Sequence, residues 1–167
     1  MIDKKNLSLL NTAKSFELGR FNLYKNLAEK VINPGGKNAL ILLRNAEKMH
    51  WGILKKEISK LKSINKLELK SLIKSKPAAS KKLSRFDDTI KSITSDLSIM
   101  RKAVALEKGD PPYYAHLIKK TKRKDAKKLF SILKKEEEKH LRLIRIKLKM
   151  LQEISYDIIR SQNPRNF

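Results

Sequence analysis

The chain has 167 residues, 40% of them apolar, which is enough for one domain with a buried core. It contains no cysteine, which excludes disulfides, thiolate zinc sites, a rubredoxin-type iron centre and a cysteine nucleophile within these residues. Forty Lys and Arg against seventeen Asp and Glu leave a formal charge of +23, which attracts polyanions and opposes self-association at low salt.

The sequence predicts an all-α protein, and its breaks come at Gly and Pro. A first helix is expected from Asn6 to Val31, stopped by Asn33-Pro34-Gly35-Gly36. A second follows to Ser63. Residues 64–84 hold Pro77 and many Ser and Lys, and read as a long crossover with a short helix over Leu67 to Ile73. The third helix is expected to start near Ser84, where Ser84-x-x-Asp87 is a variant capping box, and to reach Lys108. Gly109-Asp110-Pro111-Pro112 must then kink or restart it, because proline removes a backbone donor and clashes with the preceding turn. A restart at Asp110 carries the same direction through Tyr113 to Thr121. The fourth helix is expected over Lys124 to Ser161, ended by Asn163-Pro164. This gives a four-helix bundle in a single domain, with helix pairs over 6–63 and 85–161. There is no run of about eighteen apolar residues, and the first sixteen residues lack the apolar stretch of a signal peptide, so a soluble, cytoplasmic protein is expected.

Each helix carries an apolar stripe at three- and four-residue intervals, and the stripes are interrupted by acids and histidines. The first reads Leu10, Ala13, Glu17, Phe21, Tyr24, Ala28, Val31, and the second Leu40, Leu43, Glu47, His50, Leu54, Ile58, Leu61. The third reads Phe86, Ile90, Ile93, Leu97, Met100, Val104, Glu107, and the fourth Phe130, Leu133, Glu137, His140, Ile144, Leu148, Leu151.

The interruptions repeat. Glu17, Tyr24 and Glu47-x-x-His50 recur in the same register as Glu107, Tyr114 and Glu137-x-x-His140, so one half-site is written twice. Residues three apart share a helix face, so each Glu and His can close on one ion from adjacent turns. A Glu thirty residues upstream then falls on the preceding antiparallel helix at a similar height. Four carboxylates and two imidazoles facing inward fit the dinuclear plan in which two helices give one Glu each and two give Glu-x-x-His. Unpaired carboxylates in such a core are strongly unfavourable, and bound cations would explain their position.

Other polar residues fit simpler roles. Glu136 and Glu138 point away from the stripe toward solvent, His116 lies off the Glu107 face, and Trp51 is a packing residue. Tyr24 and Tyr114, each two turns from its Glu, can hydrogen-bond a ligand carboxylate or supply an electron, and equally suit a core that gives the hydroxyl a partner.

These residues resemble the ferritin-like diiron superfamily, most closely its rubrerythrin-related branch without a rubredoxin domain, and the resemblance covers most of the chain. It implies that Glu17 and Glu107 are terminal carboxylates, that Glu47 and Glu137 bridge two irons, and that His50 and His140 are terminal nitrogen ligands. Proteins of that branch often have a second carboxylate three residues after the lone Glu of the third helix; Asp110 occupies that place here. Carboxylates with imidazoles suit two iron ions, or manganese or a mixed manganese–iron pair.

The leading expectation is an oxidoreductase that reduces hydrogen peroxide or oxygen and draws electrons from a separate donor, with homodimerisation open. Ferroxidase and iron storage is a rival, though a Lys-rich interior would repel iron. A diiron hydroxylase acting on RNA is another, since basic segments at 55–85, 119–128 and 142–149 can bind nucleic acid or other polyanions nonspecifically. From a different class comes a non-enzymatic basic helical module. The absence of aromatics among these cations counts against a stacking platform for single strands.

Overall fold

The computed structural model describes residues 4–63 and 88–162, and every regular element among them is helical. The elements are α1 (Lys4–Lys30), α2 (Pro34–Ser63), α3 (Asp88–Glu107), α4 (Asp110–Lys120) and α5 (Lys124–Gln162). The expected crossover, the Ser84–Asp87 cap and the Asn163-Pro164 stop lie outside the described residues. α1 packs along α2, while α3 and α4 follow one another along α5; contacts of α2 with α5 and of α1 with α3 close the bundle.

Local chemistry sets each turn. Pro34 opens α2, where its missing N–H is no loss, and the Asn33 side chain accepts the Gly36 N–H at 3.0 Å. From across the bundle, buried Asp96 of α3 accepts the N–H groups of Ile32 and Asn33 at 3.1 and 2.6 Å. At the other end Thr121 donates to Asn6, which ties the turn between α4 and α5 to the start of α1. These two ties make α1 antiparallel to the rod formed by α3 and α4.

The prolines interrupt that rod without reversing it, as the restart at Asp110 anticipates. Lys108 N–H still reaches Val104 O at 3.0 Å, and Gly109 N–H tightens onto Leu106 O at 2.9 Å. Tyr113 N–H resumes the ladder on Gly109 O at 3.2 Å, after the two residues that have no N–H to give.

The core is divided. One apolar cluster takes in Tyr24, Ala28, Val31, Leu40, Leu43, Met100, Ala103, Ile144 and Leu151. The other holds Leu10, Ala13, Leu54, Ile58, Tyr114, Leu117, Phe130 and Leu133. Each fully buried Leu or Phe contributes roughly 1.5–3 kcal/mol, and the two clusters together carry the bundle. Between them lies a polar layer.

The predicted stripes hold on α2 and α5, with two local differences elsewhere. Phe21 is only half-buried and faces the outer seam with α2, where it lines a cavity of 230 Å³ with Leu18, Lys48 and Trp51. On α3 the buried line passes through Asp96, Ile99, Met100, Ala103 and Glu107, so Leu97 and Val104 sit at its edge. The inward turn of Asp96 accounts for that rotation. Phe86 and the side chains of Ile90 and Ile93 lie outside the described residues.

Because Asp96 is the acceptor for two backbone donors at the α1–α2 turn, Asp96→Ala is expected to destabilise the metal-free protein by about 1–3 kcal/mol, read from urea unfolding. An unchanged midpoint would show that the turn holds itself.

Candidate metal centre

Six side chains meet in the polar layer: Glu17 from α1, Glu47 and His50 from α2, Glu107 from the last turn of α3, and Glu137 and His140 from α5. The five other than His140 are at most 1% exposed; His140, at 8%, is where the layer comes nearest to solvent. The two imidazoles stack with ring centres 5.3 Å apart, and each turns its Nδ1 toward the carboxylates.

The layer divides into two overlapping sets. His50 Nδ1 lies 3.0 Å from Glu137 Oε1, 3.5 Å from Glu17 Oε2 and 3.6 Å from Glu47 Oε2. His140 Nδ1 lies 3.0 Å from Glu137 Oε2, 3.6 Å from Glu47 Oε1 and 4.0 Å from Glu107 Oε2. Glu47 and Glu137 thus present one oxygen to each imidazole, whereas Glu17 belongs only to the first set and Glu107 only to the second. Within each set the donor atoms all lie within 4.8 Å of one another.

Tyr24 and Tyr114 are fully buried and reach across the bundle. Tyr24 Oη donates to Glu107 Oε1 at 2.6 Å, and Tyr114 Oη donates to Glu17 Oε1. Each tyrosine serves the lone Glu of the other repeat, not that of its own. The second oxygen of each of these glutamates, Oε2, is left without a hydrogen bond and faces an imidazole.

Such a layer is electrostatically incomplete by itself. Glu17 Oε2, both oxygens of Glu47, both nitrogens of His50, Glu107 Oε2 and Glu137 Oε1 are buried and have no aligned hydrogen-bond partner. Burial lifts the Glu17 carboxyl to about 9 against the pull of His50, with the Glu47 charge adding to the rise. Burial likewise lifts Glu107 to about 8, partly offset by the Tyr24 hydroxyl. Glu47 goes the other way, because its close approach to the His140 and His50 rings and to the Glu17 carboxyl outweighs its desolvation. Desolvation disfavours both imidazolium ions, yet carboxylate contacts hold His50 up at about 12 and His140 at about 10. Burial and the facing glutamates push both tyrosine hydroxyls far above their ordinary value, so they remain donors. The metal-free layer therefore survives by retaining protons that cations would displace. Its hard oxygens and imidazoles fit iron or manganese and offer no soft ligand.

One neighbouring contact was not evident from sequence. Arg20 of α1 donates to Asp110 and, at 3.2 Å, to the carbonyl of Leu106, and thereby clasps both sides of the α3–α4 break. Burial raises Asp110 to about 6 even with the guanidinium lowering it. Asp110 is absent from both donor sets. The signal available in the sequence was positional: Arg20 follows Glu17 by three residues, as Asp110 follows Glu107. The residues assigned to other roles stay apart from the layer: His116 is exposed, and Glu136 and Glu138 pair with Lys139 and Lys134. Trp51 packs in the outer seam under Lys55, whose Nζ is 5.0 Å from the ring centre.

The fold has a solved counterpart in a hypothetical protein from Pyrococcus furiosus, 24% identical, which covers 92% of this chain and 94% of its own with a TM-score of 0.55. That likeness speaks for the bundle alone. Among curated proteins there is no match. The family description that matches, over residues 8–150, is Rubrerythrin. The matched span takes in all six residues of the polar layer and both buried tyrosines, so the chain belongs to the Rubrerythrin family, within the ferritin-like diiron superfamily.

Proposed function

We propose that this chain is a dinuclear-iron oxidoreductase that reduces hydrogen peroxide or oxygen, with electrons returned by a separate donor. The observation that carries this reading is the sharing of Glu47 and Glu137 between two otherwise separate donor sets, which is the arrangement two adjacent cations require. When bound, two ferrous ions supply the two electrons that, with two protons, convert one hydrogen peroxide to two waters.

The protein's own part is positional and electrostatic. Two ions would be held by Glu47 and Glu137 between them, with Glu17 and His50 on one side and Glu107 and His140 on the other. Tyr114 and Tyr24 occupy the far oxygens of Glu17 and Glu107 and so aim the near ones inward. The apolar clusters above and below keep water from the layer, and the partly exposed edge of His140 marks the side from which a molecule the size of peroxide approaches. The same donors accept manganese.

Iron storage fits less well, since the surface that would have to collect cations is densely basic. Action on RNA keeps one specific support. Among the described residues six acids (Glu17, Glu47, Asp96, Glu107, Asp110 and Glu137) are buried, which leaves the exterior more basic than the formal charge suggests. Tight RNA binding accompanied by a hydroxylated product would favour that reading over peroxide reduction.

Reduced, iron-loaded protein is expected to consume hydrogen peroxide faster than the same concentration of free ferrous ion. Glu47→Ala and Glu137→Ala should each abolish stoichiometric metal binding; equal peroxide consumption by free iron removes the proposal. Tyr24→Phe and Tyr114→Phe should each weaken metal binding by roughly 10–100-fold, because each frees an oriented carboxylate. If metal content is unchanged and only turnover slows, the tyrosines supply electrons instead.

The pH dependence of stability separates the two states of the site. Glu17 and Glu107, raised to about 9 and 8, hold protons in the folded chain that the unfolded chain releases near its ordinary 4.5. Their contribution is present at low pH and is lost as pH climbs through those values. His50 and His140, at about 12 and 10, act in the same sense above the ordinary 6.5. Melting temperature in chelator is therefore expected to fall from pH 6.5 to 9. With saturating manganese it should hold or rise, since deprotonated ligands bind better. A flat profile in chelator would contradict the proton-retaining layer.

A further inference from the structure

Three polar contacts, two buried and one partly buried, join α1 to the interrupted α3–α4 rod in antiparallel order: Tyr114 to Glu17, Arg20 to Asp110, and Tyr24 to Glu107. The outer two orient carboxylates of the polar layer. The middle one has a different consequence. Asp110 lies one helical turn beyond Glu107 and is 1% exposed, and its Oδ2 has no hydrogen-bond partner. A buried carboxylate with a free oxygen, one turn from a residue of the donor set, is chemically able to serve as a fifth acidic ligand. What engages it instead is the Arg20 guanidinium, itself fixed by the Leu106 carbonyl and lying 4.9 Å from the centre of the Phe16 ring.

We propose that Arg20 withholds Asp110 from the metals and so fixes the donor set at four carboxylates and two imidazoles. This rests on the metal reading above. Four carboxylates with neutral imidazoles balance two divalent cations, whereas a fifth would leave a dry site with net negative charge, which is costly to bury. Arg20 removes that excess locally by matching Asp110 with one permanent positive charge. Arginine suits the task because it stays protonated and its planar fork can engage a carboxylate and a carbonyl together. Its place in the repeat agrees, since Arg20 and Asp110 occupy equivalent positions three residues after Glu17 and Glu107. The duplication thus sets opposite charges face to face where the two halves meet.

The test is anaerobic titration of full-length protein with Mn²⁺ by calorimetry, paralleled by Co²⁺ absorption, for Asp110→Asn, Arg20→Met and the double variant. With Arg20 present, Asp110→Asn is expected to keep the Mn²⁺ stoichiometry and the Co²⁺ spectrum of the unmodified protein. Arg20→Met should bind Mn²⁺ roughly tenfold more tightly, or better, through the released carboxylate, with an altered Co²⁺ ligand-field spectrum. The double variant should return both readouts to the starting values. A role for Arg20 in packing alone cannot produce that gain, so an Arg20→Met protein that binds no more tightly than the double variant overturns the proposal. So does an Asp110→Asn protein with a lost metal equivalent or an altered Co²⁺ ligand-field spectrum, which would make Asp110 a ligand already. Should Arg20→Met fail to fold, Arg20→Gln, which removes the charge but keeps a donor for the Leu106 carbonyl, is titrated in its place with the same expected gain and the same overturning result. If the unmodified protein binds no Mn²⁺ or Co²⁺, the failure belongs to the metal reading.

Discussion

Four carboxylates and two imidazoles sit in a dry layer between two apolar clusters, and the arrangement of the bundle follows from the need to neutralise them. Water is excluded, so the charges must be met by protons, by one another or by cations. The metal-free chain uses the first two means: Glu17 and Glu107 keep protons well above their ordinary range, and both imidazoles are held charged by neighbouring glutamates. Apolar side chains at these six positions would give a quieter core. That the sequence places ionisable groups there, in two matching sets, is the physical reason for treating the layer as a site and not as a packing accident.

The duplication makes the halves interdependent. Glu17 is held by Tyr114 and Glu107 by Tyr24, so the lone acid of each repeat is oriented by the tyrosine of the other. Glu47 and Glu137 likewise each serve both imidazoles. One helix pair alone could present a glutamate and a pincer, but it would lack the second shared carboxylate and the hydroxyl that aims the first. Assembly of the bundle and assembly of the site are therefore the same event. The pseudo-symmetry fails chiefly at Pro111 and Pro112, which have no counterpart after Arg20, and there the guanidinium grips the carbonyl of Leu106 where the helix is interrupted.

Periodicity made much of this legible. Glu47, His50, Glu137 and His140 stand where the α2 and α5 stripes demand apolar residues, and helical spacing alone puts each pair on one face. The restart at Asp110 was equally readable, because two consecutive prolines leave few other solutions. The cross-pairing of the tyrosines was not, since their seven-residue spacing from Glu17 and Glu107 points to the same helix, and only the antiparallel contact of α1 with α3 and α4 shows which hydroxyl meets which acid. Asp96 and Arg20 escaped notice for a related reason. Each lies beside the apolar stripe of its helix and not in it, and its partner (a turn backbone for Asp96, the far side of a helix break for Arg20) is distant in sequence. Phe21 shows the converse: an apolar residue in register with the core can still turn to an outer seam when the neighbouring helix offers Trp51 and Lys48 there.

The buried acids also alter the meaning of the net charge. Among the described residues six acids are internal, so Lys and Arg dominate the exterior even more than the sum of +23 conveys. Cations approaching from solution meet a predominantly basic exterior, while the negative groups of the polar layer lie deep and shielded. Another copy of the chain meets the same repulsion, strongest at low ionic strength. A basic shell around an acidic centre is poorly suited to accumulating iron on its surfaces, and well suited to holding a small, fixed number of cations inside. The donor groups suited to a metal are thus set apart from the basic charge of the exterior.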